Sequence, residues 1–345
     1  MGRRVLVTGL GTFWGGRAAQ ALELDEDVEV IVGLDTSEPA VELERTEFVR
    51  ADENYSILSR IVKAARIDTI LHTFLIVDTT GTSRRTVHET NVIGTMNLLA
   101  AATASSTVHT LVVKSSTLFY GSNPEDPTWF REEMRRSRPP HTPVEQSLLE
   151  VEGYLRDFAD DNDHVSVSVL RFSNVLGRDI KTPLRSALEL PLVPCILGYD
   201  PGLQFVHELD VVRSILYVLE HDLGGVYNVA GDGRLPWSEV ARICGKRLAP
   251  LPPIGTGAAA RALRLARVID LPTETLDLLR HGRGVDTRKL CRQGFQYEFT
   301  TAGTIEDFWQ TCRLRQTVGE IEPQYRYERD VENFFRHSPA VVRDE

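Results

Sequence analysis

Residues 8–16 read Thr-Gly-Leu-Gly-Thr-Phe-Trp-Gly-Gly, and a glycine-rich turn of this kind is suited to holding a pyrophosphate. Small residues let the backbone approach the phosphates, and the helix that such a turn opens points N–H groups at them. The context fits, because the turn follows a short apolar run at 5–8 and leads into helical spacing over 16–24. A second β-branched run, 28–34, ends in Asp35. A carboxylate at that strand end accepts hydrogen bonds from an adenosine ribose and repels a 2′-phosphate, so turn and acid together point to NAD rather than NADP. The plainer alternative is a glycine-rich connection beside a solvated Asp.

The elements that must position this turn are legible from periodicity. Apolar runs recur at 68–74, 110–114 and 165–170, each separated by a stretch of helical spacing. That alternation predicts an α/β fold, a Rossmann-type doubly wound parallel sheet occupying 1–171. Beyond it the pattern becomes irregular, with Pro191, Pro194, Pro250, Pro252 and Pro253 between short helices. A smaller C-terminal substrate-binding region over 172–312 is expected, with segments near 205–230 packing back on the first domain. The mixed-charge stretch 313–345 carries Tyr325, Tyr327, Phe334 and Phe335 and reads as a docking helix or a loose tail.

Composition excludes several classes. The 345 residues suffice for one large domain and a smaller one. Lys and Arg number 39 against 49 Asp and Glu, a net charge of −10, so the basic footprint of a nucleic-acid binder is missing. Cys195, Cys244, Cys291 and Cys312 have no metal-ligand or disulfide spacing, so no metal is expected and a reduced, cytoplasmic setting is. The apolar run after Arg3 and Arg4 is too short for a signal peptide. Residues 190–199 are uncharged but hold two prolines, which rules them out as a membrane span.

Taken in order, a longer set of residues resembles the NAD-dependent epimerase/dehydratase family of extended short-chain dehydrogenases/reductases, which is UDP-glucose 4-epimerase-like. The likeness runs from about residue 4 to 312. It rests on Thr8, Gly9, Phe13 and Gly15; Asp35; Ala51-Asp52; Leu71-His72; Asn91-Val92-Ile93-Gly94-Thr95; Ser115-Ser116-Thr117-Leu118-Phe119-Tyr120-Gly121; and Leu170-Arg171-Phe172-Ser173-Asn174-Val175-Leu176-Gly177. Phe205-Val206-His207, Asp210-Val211-Val212 and Tyr227-Asn228-Val229 follow. The resemblance implies NAD as cofactor, a nucleotide-sugar-like small-molecule ligand, and a homodimer formed through helices near 85–105 and 143–160. It assigns the cofactor to Gly9, Gly11, Thr12, Phe13, Trp14, Gly15, Asp35, Asp52, Glu53, Thr73, Phe74, Asn91, Ser115 and Phe172. Asn91 is chiefly structural in the family. The ligand falls to Asn174, Leu203, Phe205 and Arg283, although Leu203 stands where diphosphate binders commonly carry Arg.

The chemistry departs from the family at its centre. Members carry a Tyr and, four residues on, a Lys; the Lys lowers the phenol pKa so that the phenolate can take a hydroxyl proton. Here Val144 and Leu148 occupy those places between the retained flanks Pro143, Ser147 and Glu152. Val144, Leu148, Val151, Leu155 and Phe158 form one apolar helical stripe, and none of the five lysines has a Tyr four residues before it. The pair is lost. Thr117 keeps the family's hydroxyl position, and Glu145, His141 and Lys114 are the substitute acid/base candidates. Each has an ordinary alternative: a first-turn carboxylate favoured by the helix dipole, a surface loop residue and a solvated strand end. Two readings stay open, an atypical enzyme that binds NAD and a nucleotide-sugar-like ligand, and a non-catalytic sensor or interaction protein.

Overall fold

Val5, Leu6 and Val7 have no solvent-accessible surface because their strand lies inside a parallel sheet covered on both faces, which is why the run shows no polar alternation. The computed structural model describes residues 2–318, 331, 334–335 and 338–342. In chain order its elements are β1 (Arg3–Thr8), α1 (Phe13–Leu22), β2 (Val28–Asp35), β3 (Thr46–Arg50), α2 (Tyr55–Ala64), β4 (Thr69–His72), α3 (Arg84–His88), α4 (Thr95–Thr103), β5 (Thr110–Ser116), α5 (Pro143–Asp161) and β6 (Ser166–Phe172). Then follow β7 (Asn174–Leu176), α6 (Pro183–Glu189), β8 (Leu192–Ile196), β9 (Gly202–Leu203), β10 (Phe205–His207), α7 (Glu208–Glu220) and β11 (Gly225–Val229).

The seven-stranded sheet has the order β11-β6-β5-β4-β1-β2-β3 with every pairing parallel. The chain runs outward from β1 to β3 and then crosses to β4, so the direction of winding reverses between β1 and β4. A crevice at the carboxyl ends of the strands opens at such a reversal, and ligands of this architecture bind there.

One apolar layer packs β1–β6 against α2, α4 and α5 and includes Leu58, Ile61, Leu98, Leu148 and Val151. The opposite layer packs α1 and α7 on the sheet through Ala18, Leu22, Ile215 and Val218. Helix α5 begins where the sequence dictates: Thr142 caps it by accepting the Glu145 N–H, and Pro143 stands in the first turn. Beyond β6, small strand pairs and the helix Trp237–Ile243 surround a separate cluster built on Leu188, Val193, Phe205, Trp237 and Phe308. Strand β11 returns to the main sheet. Part of the C-terminal stretch docks there: Phe334 is buried in the layer with Leu58 and Ile61, and the Val342 N–H donates to the Ala64 carbonyl at 2.7 Å. Tyr325 and Tyr327 lie outside the described residues.

The buried Arg171–Glu152 pair ties three elements together. Arg171 Nη2 on β6 is 2.6 Å from Glu152 on α5, and the same carboxylate accepts the Ser115 hydroxyl of β5 at 2.7 Å. Arg171 also donates to the Tyr120 hydroxyl at 2.6 Å. The end of β5, which carries the candidate chemistry, is fixed by this network.

Candidate functional site

The glycine turn closes on itself before it meets a ligand. Gly9 has φ +79°, and a Cβ there would lie 2.6 Å from the Phe74 nitrogen, so only glycine adopts this bend without strain. At Gly15 a Cβ would lie 2.2 Å from the Gly9 carbonyl oxygen. Thr12 holds the turn: its hydroxyl donates to the Gly9 carbonyl at 2.6 Å and accepts the Gly15 N–H at 3.1 Å. This chain therefore uses a side chain to cap α1. The first-turn N–H groups of Phe13 and Trp14 have no acceptor within the helix, and both residues line the large cavity. These donors fit a pyrophosphate.

Asp35 sits beside the turn. Its carboxylate accepts the Gly11 N–H at 3.1 Å and the Ser37 N–H at 2.8 Å, which fixes it beside the turn at the end of β2. Burial, reinforced by the charges of Asp35 and Asp52, pushes the Glu53 carboxyl up to about 7. Asp52 itself is exposed. Raised above the ordinary 4.5, Glu53 penalises the fold as it ionises: the cost is nil below 4.5, accrues between 4.5 and 7, and is complete above. Glu53→Gln is therefore expected to raise stability by on the order of 2 kcal/mol above pH 7 and to change nothing near pH 4. Thermal melts of both proteins across that range measure this.

The cavity has a volume of about 1160 Å³ and opens at the carboxyl ends of the strands. Of the residues expected at the cofactor, Thr12, Phe13, Trp14, Thr73, Phe74, Ser115 and Phe172 line it. Trp14 stacks on Phe172 with centroids 6.2 Å apart. Asn91 is a correction: it is fully buried and does not line the cavity. Its amide holds Ile76 from both sides, accepting the Ile76 N–H at 2.7 Å and donating to the Ile76 carbonyl at 2.9 Å. It thereby fixes the 74–77 segment that does form the wall.

On the ligand side, Asn174 and Arg283 line the cavity, whereas Leu203 and Phe205 are fully buried behind it. Leu203 forms a β-bridge with Arg283 and so supports the arginine instead of meeting a ligand. The Arg283 guanidinium donates to the Thr117 hydroxyl (3.1 Å), the Gly121 carbonyl (3.0 Å) and the Ser122 hydroxyl (3.3 Å). All three are neutral acceptors. Burial lowers this arginine to about 10, a cost that an anion bound in the cavity would offset.

The expected catalytic residues separate sharply. Thr117 is fully buried, with its hydroxyl engaged by Arg283, and it does not reach the cavity. Ser116, one residue earlier, lines the cavity instead. The two-residue period of β5 decides this, because the short helical turn beginning at Thr117 rotates that side chain inward. Glu145 is 1% exposed and paired with Arg136 at 2.8 Å, so it is sealed off. His141 is half-exposed, hydrogen-bonded to Asp277 at 2.8 Å, and not on the cavity wall. Lys114 lines the cavity. Val144 and Leu148 are fully buried among Leu75, Val151 and Phe74 and do not line it, so the positions of the missing Tyr and Lys have been absorbed into the core.

Sequence reading passed over Ser116, the Arg17–Asp179 ion pair at 2.6 Å across the wall, and Glu274. Glu274 accepts the Thr79 hydroxyl and is raised above the ordinary carboxylate range by burial. Arg17 lies in α1 and Glu274 in the helix Thr273–His281, where no local pattern marks Asp179 or Thr79 as a partner; Ser116 had a signal, since it shares a strand face with Lys114. Among the described residues, no group of three His, Cys, Asp or Glu side chains could hold a metal, and no helix is long and apolar enough to cross a membrane.

Comparison with known proteins agrees with this geometry. Rv0501, an uncharacterized protein of Mycobacterium tuberculosis, is 30% identical over 313 residues, 89% of this chain and 83% of that protein. The fold is shared with UDP-glucose 4-epimerase of Thermotoga maritima, solved with UDP-glucose (TM-score 0.70, 19% identity, 91% of this chain and 99% of that one). It is shared also with dTDP-glucose 4,6-dehydratase of Bacillus anthracis, solved with NAD (TM-score 0.69, 19% identity, 91% and 98%). The sequence profile of the NAD dependent epimerase/dehydratase family matches residues 5–230. With the turn, the acid at the end of β2 and the winding reversal all in place, this chain belongs to that family.

Proposed function

We propose that this protein holds NAD across the Gly9–Gly15 turn and a nucleotide-sugar-like ligand in the same cavity, without the Tyr/Lys pair its family uses. The observation that carries the reading is Arg283, a buried cation on the cavity wall whose hydrogen bonds all go to neutral groups. A ligand diphosphate supplies the charge it lacks. The volume supports two ligands, because about 1160 Å³ exceeds the ~300–1,000 Å³ of pockets that hold one drug-sized molecule. NAD, when bound, supplies a hydride acceptor. The chain's own residues divide the remaining work. Phe13 and Trp14 N–H groups bind phosphate, Asp35 orients the adenosine ribose, Ser116 and Asn174 present polar groups to the ligand, and the Trp14–Phe172 stack excludes water.

Burial of Val144 and Leu148 favours a second reading, a non-catalytic sensor of NAD or of a nucleotide sugar. A homodimer through the helices near 85–105 and 143–160 suits either reading, since Ile93, Met96 and Tyr154 are exposed there. A cytoplasmic setting suits both as well.

Calorimetric titration tests the cofactor assignment. NAD is expected to bind at least ~10-fold more tightly than NADP, because a 2′-phosphate would meet the Asp35 carboxylate, and Asp35→Ala should narrow the gap. Equal affinities in the parent protein contradict it.

A further inference from the structure

Strand β5 ends beneath the cavity with Lys114, Ser115 and Ser116. The strand period sends Lys114 and Ser116 to one side, about 7 Å apart along the backbone, while the Ser115 hydroxyl turns to Glu152. Lys114 is 3% exposed and lines the cavity. Its Nζ donates to the Leu75 carbonyl at 3.1 Å and lies 5.8 Å from the centre of the Trp14 ring. No charged neighbour offsets its burial, which drives the ammonium down to about 7. The titratable group facing it from the adjacent strand is His72. That ring bonds Thr8 and Thr95 and is itself pushed down to about 3 by burial and by Lys114. It offers Lys114 no counter-charge. The other two candidates named by sequence do not reach the cavity, for Glu145 is sealed against Arg136 and His141 sits outside.

We infer that Lys114 is the proton-transfer residue of this cavity, an amine on β5 standing in for the phenol and lysine missing from α5. The inference rests on the reading that NAD and a nucleotide sugar share the cavity. The neutral Nζ lone pair takes the proton of a sugar hydroxyl and becomes an ammonium. The C–H electron pair on the carbon bearing that hydroxyl leaves as hydride to NAD, and the C–O bond becomes a carbonyl. Ser116, on the same strand face, holds the reacting oxygen. Reversal returns the proton from the ammonium and the hydride from NADH. A lysine serves here because burial lets it exist as a free base near neutral pH, which an exposed lysine does not do.

Two measurements on the full chain decide the matter. In the first, amines are trace-labelled across pH and read by mass spectrometry. Lys114 should titrate at least two pH units below the ~10.4 of an ordinary lysine, and NAD with UDP-glucose should shield it. In the second, the NAD-loaded protein is mixed with UDP-glucose or UDP-glucuronic acid and NADH absorbance is followed. The parent should reduce NAD with a rate that rises through the labelling midpoint of Lys114. Lys114→Met and Lys114→Arg should lose ~10²-fold or more of that rate while binding NAD and the sugar within about threefold of the parent. Removing a buried amine that has no counter-charge should leave Lys114→Met at least as heat-stable as the parent, so misfolding does not confuse the comparison. The assignment is overturned if Lys114 titrates near the ~10.4 of an ordinary lysine, if Lys114→Met keeps the parental rate and pH profile, or if a parent that binds both ligands never reduces NAD. A chain that binds neither ligand overturns the binding reading and this assignment with it.

Discussion

Arg283→Met should weaken UDP-glucose binding by ~100-fold, equivalent to about 2.7 kcal/mol. The size follows from the wall: the guanidinium is buried there and its hydrogen-bond partners are uncharged. Hydrogen bonds from a charged donor to an anion in such surroundings contribute about 1.5–3 kcal/mol each. Arg283→Lys keeps the charge but loses the planar fork, and should fall between parent and Met. The substitution also leaves the Gly121 carbonyl and the Ser122 hydroxyl with one partner fewer, so a melt must accompany the titration. NAD affinity should change far less, because the glycine turn and Asp35 make no hydrogen bond to Arg283. A Met variant that binds UDP-glucose like the parent would show that the diphosphate lies elsewhere.

Glu152→Ala should destabilise the fold by about 3–5 kcal/mol, and lower the melting temperature by on the order of 10 °C. Arg171 and Glu152 are 5% and 6% exposed and meet at 2.6 Å. Truncating the acid leaves a buried guanidinium facing Phe119 and Tyr120 and releases the Ser115 hydroxyl. Breaking a buried pair on one side is costly even where the intact pair adds little net stability. Glu152→Gln keeps acceptors for both partners but not the charge, and should cost less. A loss under about 1 kcal/mol for Glu152→Ala, measured by chemical denaturation, would mean that water reaches Arg171.

The glycine turn, Asp35 and the parallel sheet were legible because each is encoded locally, in spacing that allows one backbone conformation or one strand period. The loss of the Tyr/Lys pair was equally plain, since Val144 and Leu148 continue an apolar stripe. What sequence did not reveal is where that stripe faces: both side chains join the layer beneath the sheet, and a lysine restored at 148 would be buried there rather than delivered to a cofactor. Thr117 was misplaced by one residue of strand alternation, and Ser116 took its position on the wall. Contacts across long separations were out of reach. Arg283 meets Thr117 across 166 residues, and no pattern in the segment around Arg136 marks it as the partner of Glu145.

The central claim is that one cavity holds NAD at the glycine turn and a nucleotide sugar against Arg283. A crystal grown with NAD and soaked with UDP-glucose tests it most directly. The account predicts the adenosine ribose at Asp35, the pyrophosphate over the Phe13 and Trp14 N–H groups, and the sugar diphosphate within hydrogen-bond distance of Arg283. A turn left bare at saturating NAD, or UDP-glucose bound away from Arg283, would contradict it.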